Sequence, residues 1–105
     1  MPFANPLEKA THFLRHGAQL GCATEDEYES LAEQFLFGPM DAHTKECVRP
    51  KGNDRLRFRG IRRDFGVACV KPAFVRTFYK VRVLKIQRNG GPDAFFAYEC
   101  ARINL

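Results

Sequence analysis

Two rhythms of apolar and polar residues divide this chain. Before residue 39 the apolar positions recur every three to four residues; beyond residue 54 they alternate or run together. Leu7, Ala10, Leu14 and Ala18 fall on one side of a first predicted helix. Asn5 is placed to cap it, Pro6 sits in its first turn, Gly17 weakens its end and Gly21 can stop it. Thr24 and Glu27 form a capping box for a second helix. Along it Tyr28, Leu31, Ala32, Phe35 and Leu36 keep helical spacing, and Gly38-Pro39 ends it. Residues 40–53 read as a loop, with a short strand beginning near Cys47 as one option.

The strands follow. Arg55, Arg57 and Arg59 alternate with Leu56 and Phe58, which predicts one cationic and one apolar face. Phe65 to Val70 is a nearly continuous apolar run and reads as a buried central strand. Lys71-Pro72-Ala73 makes a turn. The next strand runs from Phe74 to Val81 or on to Ile86, and alternation leaves open which of its sides meets the core. Asn89 to Asp93 is a turn, and Phe95 to Ile103 reads as the last strand. The fold class expected is α+β: two N-terminal helices (helical part 5–38) on an antiparallel sheet of about four strands (sheet part 47–105), in one domain over 1–105.

Charge sharpens this division. Residues 1–53 hold five Lys and Arg against eight Asp and Glu, a net of −3; residues 54–105 hold twelve against four, a net of +8. A basic sheet backed by acidic helices is an electrostatic footprint for a polyanion. The arginine content favours that over a strand edge merely blunted against aggregation, because Arg pairs with phosphate bidentately. Arg62 and Arg63 extend the patch. No apolar run approaches the length of a membrane span, and the N-terminus lacks the basic flank and long apolar stretch of a secretion signal. The expectation is no membrane and, for action elsewhere, another carrier. Cys22, Cys47, Cys69 and Cys100 lack the close spacing of zinc knuckles and are expected to be reduced thiols, with two disulfides as the alternative.

His12 and His16 share a side of the first helix. Phe13, Leu14 and Arg15 between them supply no Glu of the HExxH kind, so a metal pair is disfavoured and partly solvated histidines are the plain reading. Thr77 has high strand propensity, and the neighbouring Phe and Tyr residues serve either as core or as stacking platforms for bases.

Several short strings in order resemble one family. These are His16-Gly17, Glu27-Tyr28-Glu29, Arg57, Asp64-Phe65-Gly66-Val67 and Arg76-Thr77-Phe78-Tyr79, covering most of residues 7–81. They resemble the barnase–EndoU–colicin–RelE-like (BECR) RNases, in particular the phage and polymorphic-toxin branch. Asp64 stands where the family has Glu, and Lys80-Val81-Arg82 replace the proline that often ends the corresponding strand. The resemblance implies a microbial RNase-like fold and a metal-independent endoribonuclease toxin without cofactor. In it His16 acts as general acid or base, and Arg57, Thr77 and Lys80 stabilise the phosphate. Arg55, Arg59, Arg62, Arg63, Arg76 and Tyr79 are the expected RNA-binding residues. The implied setting is a monomer acting on RNA, tRNA among the candidates, in the cytoplasm of a bacterial target cell. It would arrive as the C-terminal domain of a larger secreted toxin or arise as a stand-alone product, and a small acidic immunity or antitoxin protein would restrain it. The alternative is a non-catalytic RNA-binding module using the same basic face. A third reading is a domain whose arginines bind an acidic protein.

Overall fold

The computed structural model of the protein describes residues 2–102. Helix α1 spans Pro6–His16, a 3-10 turn Ala18–Leu20, and α2 Glu25–Phe37. Strands β1 (Thr44–Val48), β2 (Arg55–Arg59), β3 (Asp64–Cys69) and β4 (Phe74–Lys80) follow, then α3 (Val83–Arg88) and α4 (Pro92–Ala101). The strands form one antiparallel sheet in the order β1-β2-β3-β4, so the architecture is α+β. Among the described residues no helix is long and apolar enough to cross a membrane.

Local chemistry sets the helix starts. Asn5 Oδ1 accepts from the Glu8 amide at 2.9 Å, and Thr24 Oγ1 from the Glu27 amide at 3.1 Å. Each satisfies one of the amides that a helix start leaves without a partner.

The sheet buries both faces. Register partners share a face, so Leu56, Phe58, Phe65 and Val67 lie together, joined by Val81, Ile86, Phe95 and Phe96 from the C-terminal part. The opposite face holds Ala68, Val75 and Phe78 against Tyr28, Ala32 and Leu36 of α2, with Phe3. Here Tyr28 donates its hydroxyl to the Phe78 carbonyl, linking α2 to β4. Gly66 permits the close approach of α2: a Cβ there would stand 3.0 Å from Leu36.

Some expectations need correction or refinement. The segment from Phe95 is helix α4, not a strand; Phe95, Phe96 and Glu99 are buried at helical spacing, and Pro92 opens the helix. Ile103, the expected end of that strand, lies outside the described residues. The rings of Phe95 find those of Phe58 and Phe65 at 5.3 and 5.5 Å, so the aromatic run needs an apolar face rather than a ladder. The short strand offered near Cys47 is present as β1, which starts earlier, at Thr44, and pairs in full with β2, so it takes the place of the segment from Phe95 as the fourth strand. The strand from Phe74 ends at Lys80, within one residue of the nearer expected bound; only its extension to Ile86 is corrected, because α3 takes up that segment and buries Ile86. Cys47 and Cys100 are joined in a disulfide, leaving Cys22 and Cys69 as thiols.

Helix α1 is turned from its expected orientation. Leu7 and Leu14 are 74% and 82% exposed. The helix packs on α2 and along the outer edge of β4, and so presents Phe13 and its histidines inward.

Candidate functional site

The arginine strand meets the end of α2, not solvent. Arg57 is buried, and its guanidinium donates to the carbonyls of Phe35 (3.1 Å) and Gly38 (2.7 Å) and to Glu46 (2.8 Å). These carbonyls lie where a helix C-terminus concentrates negative potential, which a buried cation neutralises. Arg55 donates to the Leu36 carbonyl and pairs with Glu46, and Arg59 pairs with Asp41 at 2.7 Å. Arg57, Gly66 and Phe78 share one face, whereas Val67 with Thr77 and Phe65 with Tyr79 share the other. The expected meeting of Arg57 with Thr77 is therefore corrected: the sheet lies between them. Arg57→Ala should cost about 3 kcal/mol of stability, since it leaves the Phe35 and Gly38 carbonyls at the end of α2 without this donor and Glu46 with Arg55 alone. Urea unfolding checks this, and an unchanged midpoint would free Arg57 for a role beyond anchoring α2.

The structure brings a different set together, at the edge of β4. Phe3 forms a parallel bridge with Val75 on that edge, and α1 follows beside it. His16 sets its ring 5.2 Å from Tyr79. One turn earlier, His12 Nδ1 lies 3.5 Å from Thr77 Oγ1, the outer limit of a hydrogen bond. Its Nε2 stands 3.4 Å from Glu8, and its ring stacks on Phe3 at 5.6 Å and lies 6.0 Å from His16. The two imidazoles thus form a row along β4, His12 beside the Thr77 hydroxyl and His16 beside the Tyr79 ring.

Two hollows flank this row and share Tyr79. One, of about 280 Å³, is lined by Arg15, His16, Tyr79, Lys80, Arg82 and Lys85. Lys80 is held by the Arg62 carbonyl (2.6 Å) and lies 3.4 Å from Asp64. The other, of about 250 Å³, has Arg49, Arg76, Thr77, Tyr79, Glu99 and Arg102 around a floor of Phe65 and Val67. Arg76 pairs with Asp54 and lies over the Phe74 ring, yet it is exposed at the rim.

Of the expected site residues, His16, Thr77, Lys80, Arg76 and Tyr79 are brought together. Arg55, Arg57 and Arg59 are not. Arg62 is exposed beside Asp64, and Arg63 is spent on the Val81 carbonyl at 2.7 Å. His12 was legible only as the partner four residues before His16. Arg49, Arg82, Lys85 and Arg102 carried no signal, because each comes from a segment whose fold was read differently or as loop.

Burial holds both imidazoles below the ordinary histidine range. For His12 desolvation outweighs the opposing pull of Glu8, and for His16 desolvation is reinforced by His12 and Arg15. Tyr79 is pushed up to about 12, chiefly by burial, so its hydroxyl keeps its proton at neutral pH. The folded state then binds fewer protons than the unfolded chain as pH falls below 6.5, the ordinary value for histidine. Stability is therefore lost on acidification below that point and regained above it. His12→Asn with His16→Asn should flatten this acid limb relative to the parent; parallel urea curves at pH 5 and 7.5 measure the difference, and identical limbs would contradict it.

Neither a protein-family model nor a curated protein matches this chain.

Proposed function

We propose that the protein is a metal-independent endoribonuclease of the toxin type, with its active centre in the row along β4. The observation that carries this reading is the placing of His12 and His16 against Thr77 and Tyr79, between hollows rich in Lys and Arg.

The chemistry needs a proton acceptor for the substrate's 2′-hydroxyl, a proton donor for the leaving oxygen and cations for the phosphate. As the 2′-oxygen bonds to phosphorus, its proton passes to one group. As the bond from phosphorus to the 5′-oxygen breaks, a proton reaches that oxygen from another. The products are a 2′,3′-cyclic phosphate and a 5′-hydroxyl. Burial lowers both imidazoles from the ordinary histidine value, and imidazole is the side chain suited to exchanging protons near neutrality. His16 is assigned to proton transfer, with His12 as its neighbour in the same row. Thr77 supplies a hydroxyl to the scissile phosphate. Lys80, with Arg76 and Arg82, supplies the positive field that stabilises the developing charge. Arg57, engaged on the other face, serves here by positioning α2.

The same basic hollows suit an acidic inhibitor protein, because complementary charge speeds encounter and covering His16 would silence the enzyme. The substrate is RNA in the cytoplasm of a bacterial target cell. The chain reaches it as part of a larger secreted toxin or as a stand-alone product, and acts there as a monomer.

Total RNA incubated with the purified protein and EDTA tests the reading. Cleavage that resists EDTA and leaves cyclic phosphate ends supports it. Salt-dependent RNA affinity without any product replaces it with a binding module. No affinity above the non-specific background points instead to an acidic protein partner.

A further inference from the structure

Helix α4 brings to the second hollow a group that the cleavage chemistry leaves unused. Glu99 is 2% exposed. Its Oε1 does all the ion pairing, 3.1 Å from Arg49 and 3.6 Å from Arg102. Arg49 also donates to the Glu99 carbonyl at 3.0 Å. The second carboxylate oxygen, Oε2, is buried without a hydrogen-bond partner among the described residues. Anchoring α4 to the segment after β1 requires only Oε1 and the carbonyl. An acceptor left bare in a buried position is uncommon and calls for a donor from outside the chain.

The hollow that Glu99 lines is suited to a planar, donor-bearing guest. Its volume of about 250 Å³ admits one nucleobase. The Phe65 and Val67 floor is apolar, and Tyr79 and Arg76 offer an aromatic face and a planar guanidinium for stacking. Thr77 on its wall is also the residue beside His12, so the guest would lie next to the reacting phosphate.

We propose that this hollow is a nucleobase subsite, and that a guest there turns the enclosed Glu99 Oε2 toward itself to accept a hydrogen bond from the base's exocyclic amino group. The inference rests on the RNase reading for the place of the phosphate. An ionised carboxylate only accepts. Guanine, adenine and cytosine each project an amino group, whereas uracil projects two carbonyl oxygens on either side of its single N–H. Oxygen facing oxygen disfavours uracil, while the arginines of the wall serve the acceptors of any base. The subsite therefore selects amino-bearing bases against uracil.

The test uses non-cleavable 2′-deoxy heptamers of thymidine with one varied central base, followed by fluorescence anisotropy. Central guanine, adenine or cytosine should bind about tenfold more tightly than central uracil, the discrimination typical of one good base contact. Glu99→Gln keeps an oxygen for Arg49 and can place an amino group at the Oε2 position; it should abolish the preference. Should urea unfolding show that variant to be unfolded, the parent protein decides through adenine against unsubstituted purine, which lacks only the amino group. Equal affinity for all bases, or a preference kept by folded Glu99→Gln, overturns the proposal and leaves Glu99 as an anchor of α4. Matching ribo-heptamers are assayed for cleavage in parallel. Failure to cleave any of them overturns the RNase reading alone, since the deoxy series reports the base preference independently.

Discussion

His16→Ala should lower RNA cleavage by about 10²- to 10⁴-fold, the usual contribution of a positioned proton-transfer group. The fold should survive it. His16 is half-buried, and its ring meets Tyr79 and His12 without anchoring either helix or sheet. Its loss removes no core side chain, so stability should stay within about 0.5 kcal/mol of the parent. His12→Ala is the informative companion. That ring stacks on Phe3 and reaches Thr77, so its removal touches both the site and the packing of the N-terminal segment on β4. The measurement is a single-turnover rate on an RNA oligonucleotide, beside a thermal melt of each variant. A His16→Ala protein that cleaves at the parent rate would sink the assignment. Silence in both variants, with an unchanged melt for His16→Ala, would mark the pair as an acid–base couple.

Reduction of the Cys47–Cys100 disulfide should destabilise the protein by about 4 kcal/mol, from the chain entropy regained by the released loop. The two cysteines are 53 residues apart in sequence, so the bond closes a loop that contains β2, β3, β4 and α3. It ties β1, an edge strand, to α4, which carries Glu99 and covers the Phe58 and Phe65 rings. The Arg49–Glu99 pair lies beside it in sequence at both ends, which couples the bond to the wall of the second hollow. Urea unfolding with and without dithiothreitol reads the effect, and Cys47→Ser with Cys100→Ser should reproduce it. Coincident curves would show that Arg49–Glu99 and the ring packing alone hold α4 in place.

What was legible in the sequence was local. The caps at Asn5 and Thr24, the period from Tyr28 to Leu36 and the turn at Lys71-Pro72-Ala73 concern neighbours a few residues apart, and their hydrogen bonds form within the segment. The alternation over Arg55 to Arg59 was also read correctly as a strand with its apolar side inward. Its other side was misjudged, because alternation shows that arginines share a face but not what covers it. Aromatic composition misled at Phe95, where packing on Phe58 outweighed strand propensity.

The sequence by itself determined the class of the fold, the two N-terminal helices, three of the four strands with the other offered as an option near Cys47, and a strong basic bias in the second half. It also supplied a histidine and a threonine far apart in the chain, without a reason for them to meet. Only the tertiary structure decided which charges remain available. Helix α2 ends over β2, so its carbonyls and Glu46 take up Arg55 and Arg57. Helix α1 lies along the open edge of β4, so His12 and His16 reach Thr77 and Tyr79. The physical reason is that a side chain's partner depends on which elements pack together across the sheet, and that packing is settled by burial summed over the whole core rather than by any local pattern.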